Sequence, residues 1–125
     1  MYEISVDGRF RAKHAIRLAD GSFEPGHEHL WSVRATFRAR KLDETTGVVI
    51  DFVQVREAME AMAAELNGRD LNAMDTFPSS SPSAELVARY VAVRLGQVLG
   101  AGCVPYRVDV TEAAGCTAAY YPGGP

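Results

Sequence analysis

The sequence predicts an α+β fold: an antiparallel four-stranded sheet with two helices on one face, in the order ββααββ. Three observations carry that prediction. Stretches near both ends alternate apolar and polar residues with a period of two, and two stretches between them repeat apolar residues at helical spacing. The chain of 125 residues, 47% hydrophobic and 23% charged, also has the size and composition of one globular domain spanning residues 1–125. The only loose stretch, residues 75–82 (DTFPSSSP), divides the remainder too unevenly for two cores and reads as a loop.

Residues 2–14 form the first strand. Ile4, Val6, Phe10 and Ala12 share one parity, and Gly8 is the candidate bulge. A turn-rich stretch follows, from Ala19-Asp20-Gly21-Ser22 to Pro25-Gly26. In the second strand Trp31, Val33, Ala35, Phe37 and Ala39 face one way, and Ser32, Arg34, Thr36, Arg38 and Arg40 the other. Residues 43–47 turn the chain into a short strand, Val48-Val49-Ile50. Asp51 then caps a helix that buries Val55, Met59, Met62 and Leu66, with Gly68 suited to its C-terminal cap. A second helix opens at Ser81-Pro82, Ser as cap and Pro at the first position, and buries Val87, Val91, Leu95 and Val98, joined by Tyr90. Tyr106, Val108 and Val110 alternate with Arg107, Asp109 and Thr111 in the next strand, and a last short strand lies around residues 118–121.

Several function classes are excluded early. No apolar run approaches the ~18 residues of a membrane span, and the N-terminus MYEISVDGRF has no signal-peptide hydrophobic region. A net charge of −3 argues against a broad nucleic-acid surface. Cys103 and Cys116 are too few for a disulfide framework, which points to a reducing cytoplasm. A small-molecule substrate is expected, with no nucleic-acid or membrane partner.

The histidines are unevenly placed: His14, His27 and His29 are the only three, and all lie between residues 14 and 29. His27 and His29 share the parity of Trp31 and Val33, while His14 extends that of Phe10 and Ala12. If the two strands pair antiparallel, the three imidazoles converge at one end of the inner face. Two histidines on a strand with ordinary hydrogen bonds explain the H-x-H pair alone. Adding His14 points to a Zn²⁺ site with a fourth position left for water or substrate. Glu112 continues the inward parity of Tyr106, Val108 and Val110, with no arginine or lysine in that parity. Either it receives paired N–H donors such as an aminopyrimidine ring presents, or it is an exposed strand end; patterning does not choose.

Further motifs run in register over nearly the whole chain. They are F-x-A-x-H at residues 10–14, H-x-H at 27–29, G-V-V-I-D-F at 47–52, L-N-G-R-D-L-N at 66–72, S-P-S-A-E at 81–85 and V-T-E at 110–112. In these motifs the chain resembles the 6-pyruvoyl-tetrahydropterin synthase family, which includes the bacterial 6-carboxy-tetrahydropterin synthases of queuosine biosynthesis. The resemblance implies a tunnelling fold whose subunits close their sheets into a barrel, a homohexamer with active sites at subunit interfaces, and zinc on His14, His27 and His29. It also implies that Glu112 holds the pterin ring. The departures matter equally. Phe23 stands where the family has its nucleophile-like cysteine, Asn67 and Gly68 replace its Asp-His pair, and Glu28 replaces the middle glycine of H-G-H.

Glu24 lies three residues before His27, giving E-x-x-H-x-H. A branch of the family carries glutamate in place of the cysteine and cleaves the dihydroneopterin side chain to 6-hydroxymethyl-dihydropterin. Glu24 is therefore the candidate for proton transfer, against the reading of a solvated loop residue. Glu28 points away from its flanking histidines, and Asp70 is an outside candidate. The expected function is a zinc-dependent lyase or cyclase acting on a pterin-like substrate with a hydroxylated side chain, and not the standard synthase reaction. Its rivals are a non-catalytic metal-dependent binding or scaffold subunit and an aldolase-like side-chain-cleaving enzyme using Glu24.

Overall fold

The computed structural model describes residues 1–77, 81–100 and 102–124. Period-two alternation along the first forty residues produces two long strands, β1 (Tyr2–His14) and β2 (His27–Ala39). They pair antiparallel without interruption, from Tyr2 opposite Ala39 to His14 opposite His27. Their apolar parity is turned inward: Val6, Phe10 and Ala12 are buried with Trp31, Val33, Ala35 and Phe37. The two helices, α1 (Phe52–Leu66) and α2 (Ala84–Leu99), cover this face, α1 against β1 and α2 against the C-terminal strands. Those strands, β4 (Arg107–Ala113) and β5 (Cys116–Tyr120), extend the sheet antiparallel beyond β2.

On the other side of β1 a two-residue strand, β3 (Arg69–Asp70), pairs parallel, so the sheet has five strands in the order β3-β1-β2-β4-β5. The expected four strands thus gain a fifth, too short to show a period in the sequence. Val48-Val49-Ile50 is not a strand; Val49 and Ile50 are apolar because they pack on the core from a bend. Gly8 is not a bulge either, since it sits in unbroken register opposite Val33. A Cβ there would lie 2.5 Å from Met59 Cγ, so the glycine admits α1 close to β1.

Asp51 caps α1 as expected, its carboxylate accepting from the Val53 N–H. The cap of α2 is Ser83 rather than Ser81, with its hydroxyl accepting from the Leu86 N–H. Pro82 therefore precedes the helix and its carbonyl stays outside the helical ladder. The α2 stripe holds Val87, Val91 and Leu95, but Val98 is 44% exposed. The stripe continues instead to Leu99, four residues after Leu95, which packs on the core. Glu65 of α1 accepts from both Tyr90 and Arg94 of α2, and the guanidinium holds its carboxyl below the usual range. Tyr106 lies before β4, is 38% exposed, and stacks its ring 3.6 Å from the Arg38 guanidinium on the outer face. The last strand starts at Cys116, two residues earlier than expected, and both cysteines are free. Among the described residues no helix is long and apolar enough to cross a membrane.

Candidate metal centre

The β1–β2 register delivers the three histidines to one place. His14 and His27 face each other across the ribbon and His29 lies opposite Ala12, with ring centroids 4.4–5.4 Å apart. Glu112 joins them from β4. Pairing of β4 with β5 slips between Thr111 and Ala113, and this irregularity falls on Glu112. Such slips re-aim a side chain, and here the carboxylate meets the imidazoles. One ligand atom from each of His14, His27, His29 and Glu112 lies within 4.8 Å of all the others.

The hydrogen bonds fix which ring nitrogens carry protons. His14 Nδ1 donates to the Pro82 carbonyl at 2.8 Å, and His27 Nδ1 to the Pro25 carbonyl at 3.1 Å. A carbonyl only accepts, so in the neutral imidazoles each Nε2 is left with a bare lone pair. Those Nε2 atoms stand 2.7 and 3.6 Å from Glu112 Oε1. A lone pair facing a carboxylate oxygen at that distance needs a proton or a cation between them. His29 Nε2 is 3.0 Å from the same oxygen, yet misaligned for hydrogen bonding, and is a buried nitrogen without a partner. Three converging Nε2 atoms, two with their protons held on the far nitrogen and one buried without a partner, with a carboxylate beside them, form a donor set that fits a Zn²⁺ ion. Burial pushes the Glu112 carboxyl up, but hydrogen bonds from His14 and His27, which carry Nε2 protons and positive charge when no cation lies between them and the carboxylate, outweigh it and lower the group from its usual value.

The remaining candidates lie around this cluster. Glu24 Oε1 accepts the Ile16 N–H at 3.0 Å and lies 3.7 Å from His27 Nε2, at the rim of the cluster. Glu28 is exposed, on the face away from its flanking histidines and 3.8 Å from Arg11. Phe23 is half exposed, with the Arg17 guanidinium 5.2 Å from its ring centre. Asn67 accepts from the Arg11 N–H, and Asp70 from the Asn72 N–H. A cavity of about 380 Å³ bordered by Lys13, His14, Phe23, Asp70 and Asn72 lies on one side of the centre. Another of about 390 Å³ is bordered by Glu112, Glu85 and Thr117. Sequence reasoning missed the carbonyls of Pro25 and Pro82, for which no side-chain signal exists.

The family model for 6-pyruvoyl tetrahydropterin synthase matches residues 3–123. A solved structure of Caenorhabditis elegans 6-pyruvoyl tetrahydropterin synthase is similar at a TM-score of 0.84 and 21% identity, over 96% of this chain and 94% of that one. The Plasmodium falciparum enzyme is similar at 0.73 and 18%, over 95% and 96% of the two chains. A Plasmodium vivax form in which a glutamate described as a catalytic residue is replaced by alanine is similar at 0.72 and 16%, over 95% and 96%. At these identities the likeness is one of fold. No curated protein matches the sequence.

Proposed function

The chain belongs to the 6-pyruvoyl tetrahydropterin synthase family, and from that premise we propose that it is a cytoplasmic zinc-dependent lyase acting on a pterin-like substrate with a hydroxylated side chain. The observation that carries this reading is the convergence of three imidazole Nε2 atoms, two with their protons drawn to carbonyls on the far side and one buried without a partner. His14, His27 and His29 would hold the Zn²⁺. Bound there, it supplies Lewis acidity toward side-chain oxygens. Glu112 borders both the histidines and a cavity, and we assign it the paired N–H groups of the substrate ring. Glu24, at 3.7 Å from His27 Nε2, is assigned the movement of a proton from a substrate hydroxyl. The catalytic glutamate named for the Plasmodium vivax enzyme supports that assignment.

Phe23, Asn67 and Gly68 neither give nor take a proton at neutral pH, so the standard synthase rearrangement should be slow, and side-chain cleavage using Glu24 fits better. One observation favours a second reading. The Glu24 carboxylate already accepts the Ile16 N–H, as a purely structural residue would, and a metal-dependent binding or scaffold subunit needs no more than that. A homohexamer fits the open edges of the sheet, since β1 pairs with β3 only at Ala12 and Lys13.

The test is to measure metal content and turnover together. About one zinc per chain is expected, lost in the His27→Ala, His29→Ala double variant. Glu24→Gln should keep the zinc while dihydroneopterin cleavage falls by ~10²–10⁴-fold. Full zinc in the double variant refutes the three-histidine site; unchanged turnover in Glu24→Gln removes the proton-transfer role.

A further inference from the structure

We infer that Asn72 is a positioning residue for His14, acting through the peptide unit that follows it; the inference rests on the metal-binding reading above. The β3–β1 ladder contains only two pairs, Ala12 with Arg69 and Lys13 with Asp70. Continuing that register sets Asn72 beside Ala15. By then, however, the backbone has entered a 3₁₀ turn, Leu71–Ala73, in which the Asp70 carboxylate accepts the Asn72 N–H. The side chain continues the ladder instead. Ala15 N–H donates to Asn72 Oδ1 at 2.7 Å, and Asn72 Nδ2 donates to the Ala15 carbonyl at 2.9 Å. A carboxamide carries the same donor and acceptor as a peptide group, so the side chain stands in for a strand residue.

The contact sits where support from the rest of the sheet stops. The β1–β2 ladder ends at His14 opposite His27, so the residue after His14 is tied down by Asn72 rather than by β2. His14 is thereby held at three points: its backbone by β2, its Nδ1 by the Pro82 carbonyl, and the following peptide by Asn72. A metal-ligating nitrogen must be held to within about 0.5 Å of its productive position, and the supporting groups around it set that tolerance. The same strand edge provides a comparison. Asn67 Oδ1 accepts the Arg11 N–H at 2.9 Å, and Gly68 N–H donates to the Arg11 carbonyl at 2.7 Å. That contact is of similar kind but lies earlier on β1, away from His14.

The experiment compares wild type with Asn72→Ala, Asn72→Asp and Asn67→Ala, well below the melting temperature of each metal-free protein. Zinc affinity is read by competition with a chelator, and ligand geometry by the visible spectrum of the cobalt-substituted protein. Asn72→Asp keeps the size and one acceptor but sets a carboxylate oxygen against the Ala15 carbonyl, which leaves a second variant if the alanine form does not fold. Both Asn72 variants should lose zinc affinity by roughly 10–100-fold and shift the cobalt bands, while Asn67→Ala should match wild type in both. Wild-type affinity and spectrum in the Asn72 variants overturn the inference even if their melting temperatures fall. Equal losses in the Asn72 and Asn67 variants overturn it too, because the effect then follows general stability. A wild-type protein that takes up no zinc refutes the metal reading, and the inference with it.

Discussion

The two ends of the β1–β2 ribbon are built from one pattern and do different things. From the middle of the ribbon to Tyr2 and Ala39 the outward residues pair across it, Asp7 with Arg34 at 2.8 Å and Glu3 with Arg38 at 2.6 Å. These pairs are exposed, and water and salt weaken them, so they contribute little. Near His14 and His27 the polar groups face inward, where each buried nitrogen needs a partner. One end uses charge where it is inexpensive. The other gathers three imidazoles and a carboxylate in a partly buried corner and leaves His29 Nε2 without a partner, an arrangement that favours a cation over an empty site.

Three measurements break or sharpen this contrast. The largest effect belongs to the histidine end. Zinc at a free concentration a hundred times its dissociation constant should stabilise the wild type by about 2.7 kcal/mol, and His29→Ala should abolish the increment in thermal unfolding. A zinc-dependent rise that persists in His29→Ala would place the metal elsewhere. Next comes the middle of the ribbon. Gly8→Ala drives a Cβ to 2.5 Å from Met59 Cγ, and the buried methionine must shift. Chemical denaturation should show a loss of ~1–3 kcal/mol, and no loss would mean that α1 rides loosely on β1.

The smallest effect belongs to the exposed ion pair beside Gly8, on the outer face of the ribbon. Asp7→Asn should move the melting temperature by only a few degrees, and less in high salt. Its pH dependence has a definite sign. The Asp7 carboxyl is lowered from 3.8 chiefly by its hydrogen bond to Arg34. The contribution is therefore present above the unfolded value and fades as pH falls through the lowered folded one. As pH falls below 3.8 and through the lowered folded value, the gap in melting temperature between wild type and Asp7→Asn should close; a gap that widens in acid would contradict the pairing.

Most of the scaffold behind these contrasts was legible in the chain itself. Alternation over β1 and β2 located both strands and their inward faces, because the strand period of two leaves no freedom about which side a residue takes. Asp51 and the stripe from Val55 to Leu66 located α1 in the same way. The errors fall where local pattern is silent or divided. Ser81 and Ser83 both suit an N-cap, and the later one is used, which frees the Pro82 carbonyl for His14. Val49 and Ile50 are apolar for packing and read falsely as a strand, while β3 is too short to carry any period.

At the site the division is sharper. Parity, together with the expected antiparallel pairing of the first two strands, brought His14, His27 and His29 to one corner of the inner face, and parity turned Glu112 inward. It left open what Glu112 would meet there. Only the tertiary structure decided that Glu112 stands against the imidazoles, because the slip between β4 and β5 depends on how two strands pair. The protons on His14 and His27 were decided the same way, by carbonyls of Pro82 and Pro25 whose positions follow from backbone paths that no side-chain pattern encodes. So was the hold of Asn72 on Ala15, which joins residues 57 apart in the chain. A residue's face is a local property of a strand, whereas its partner is a property of where two distant backbones meet.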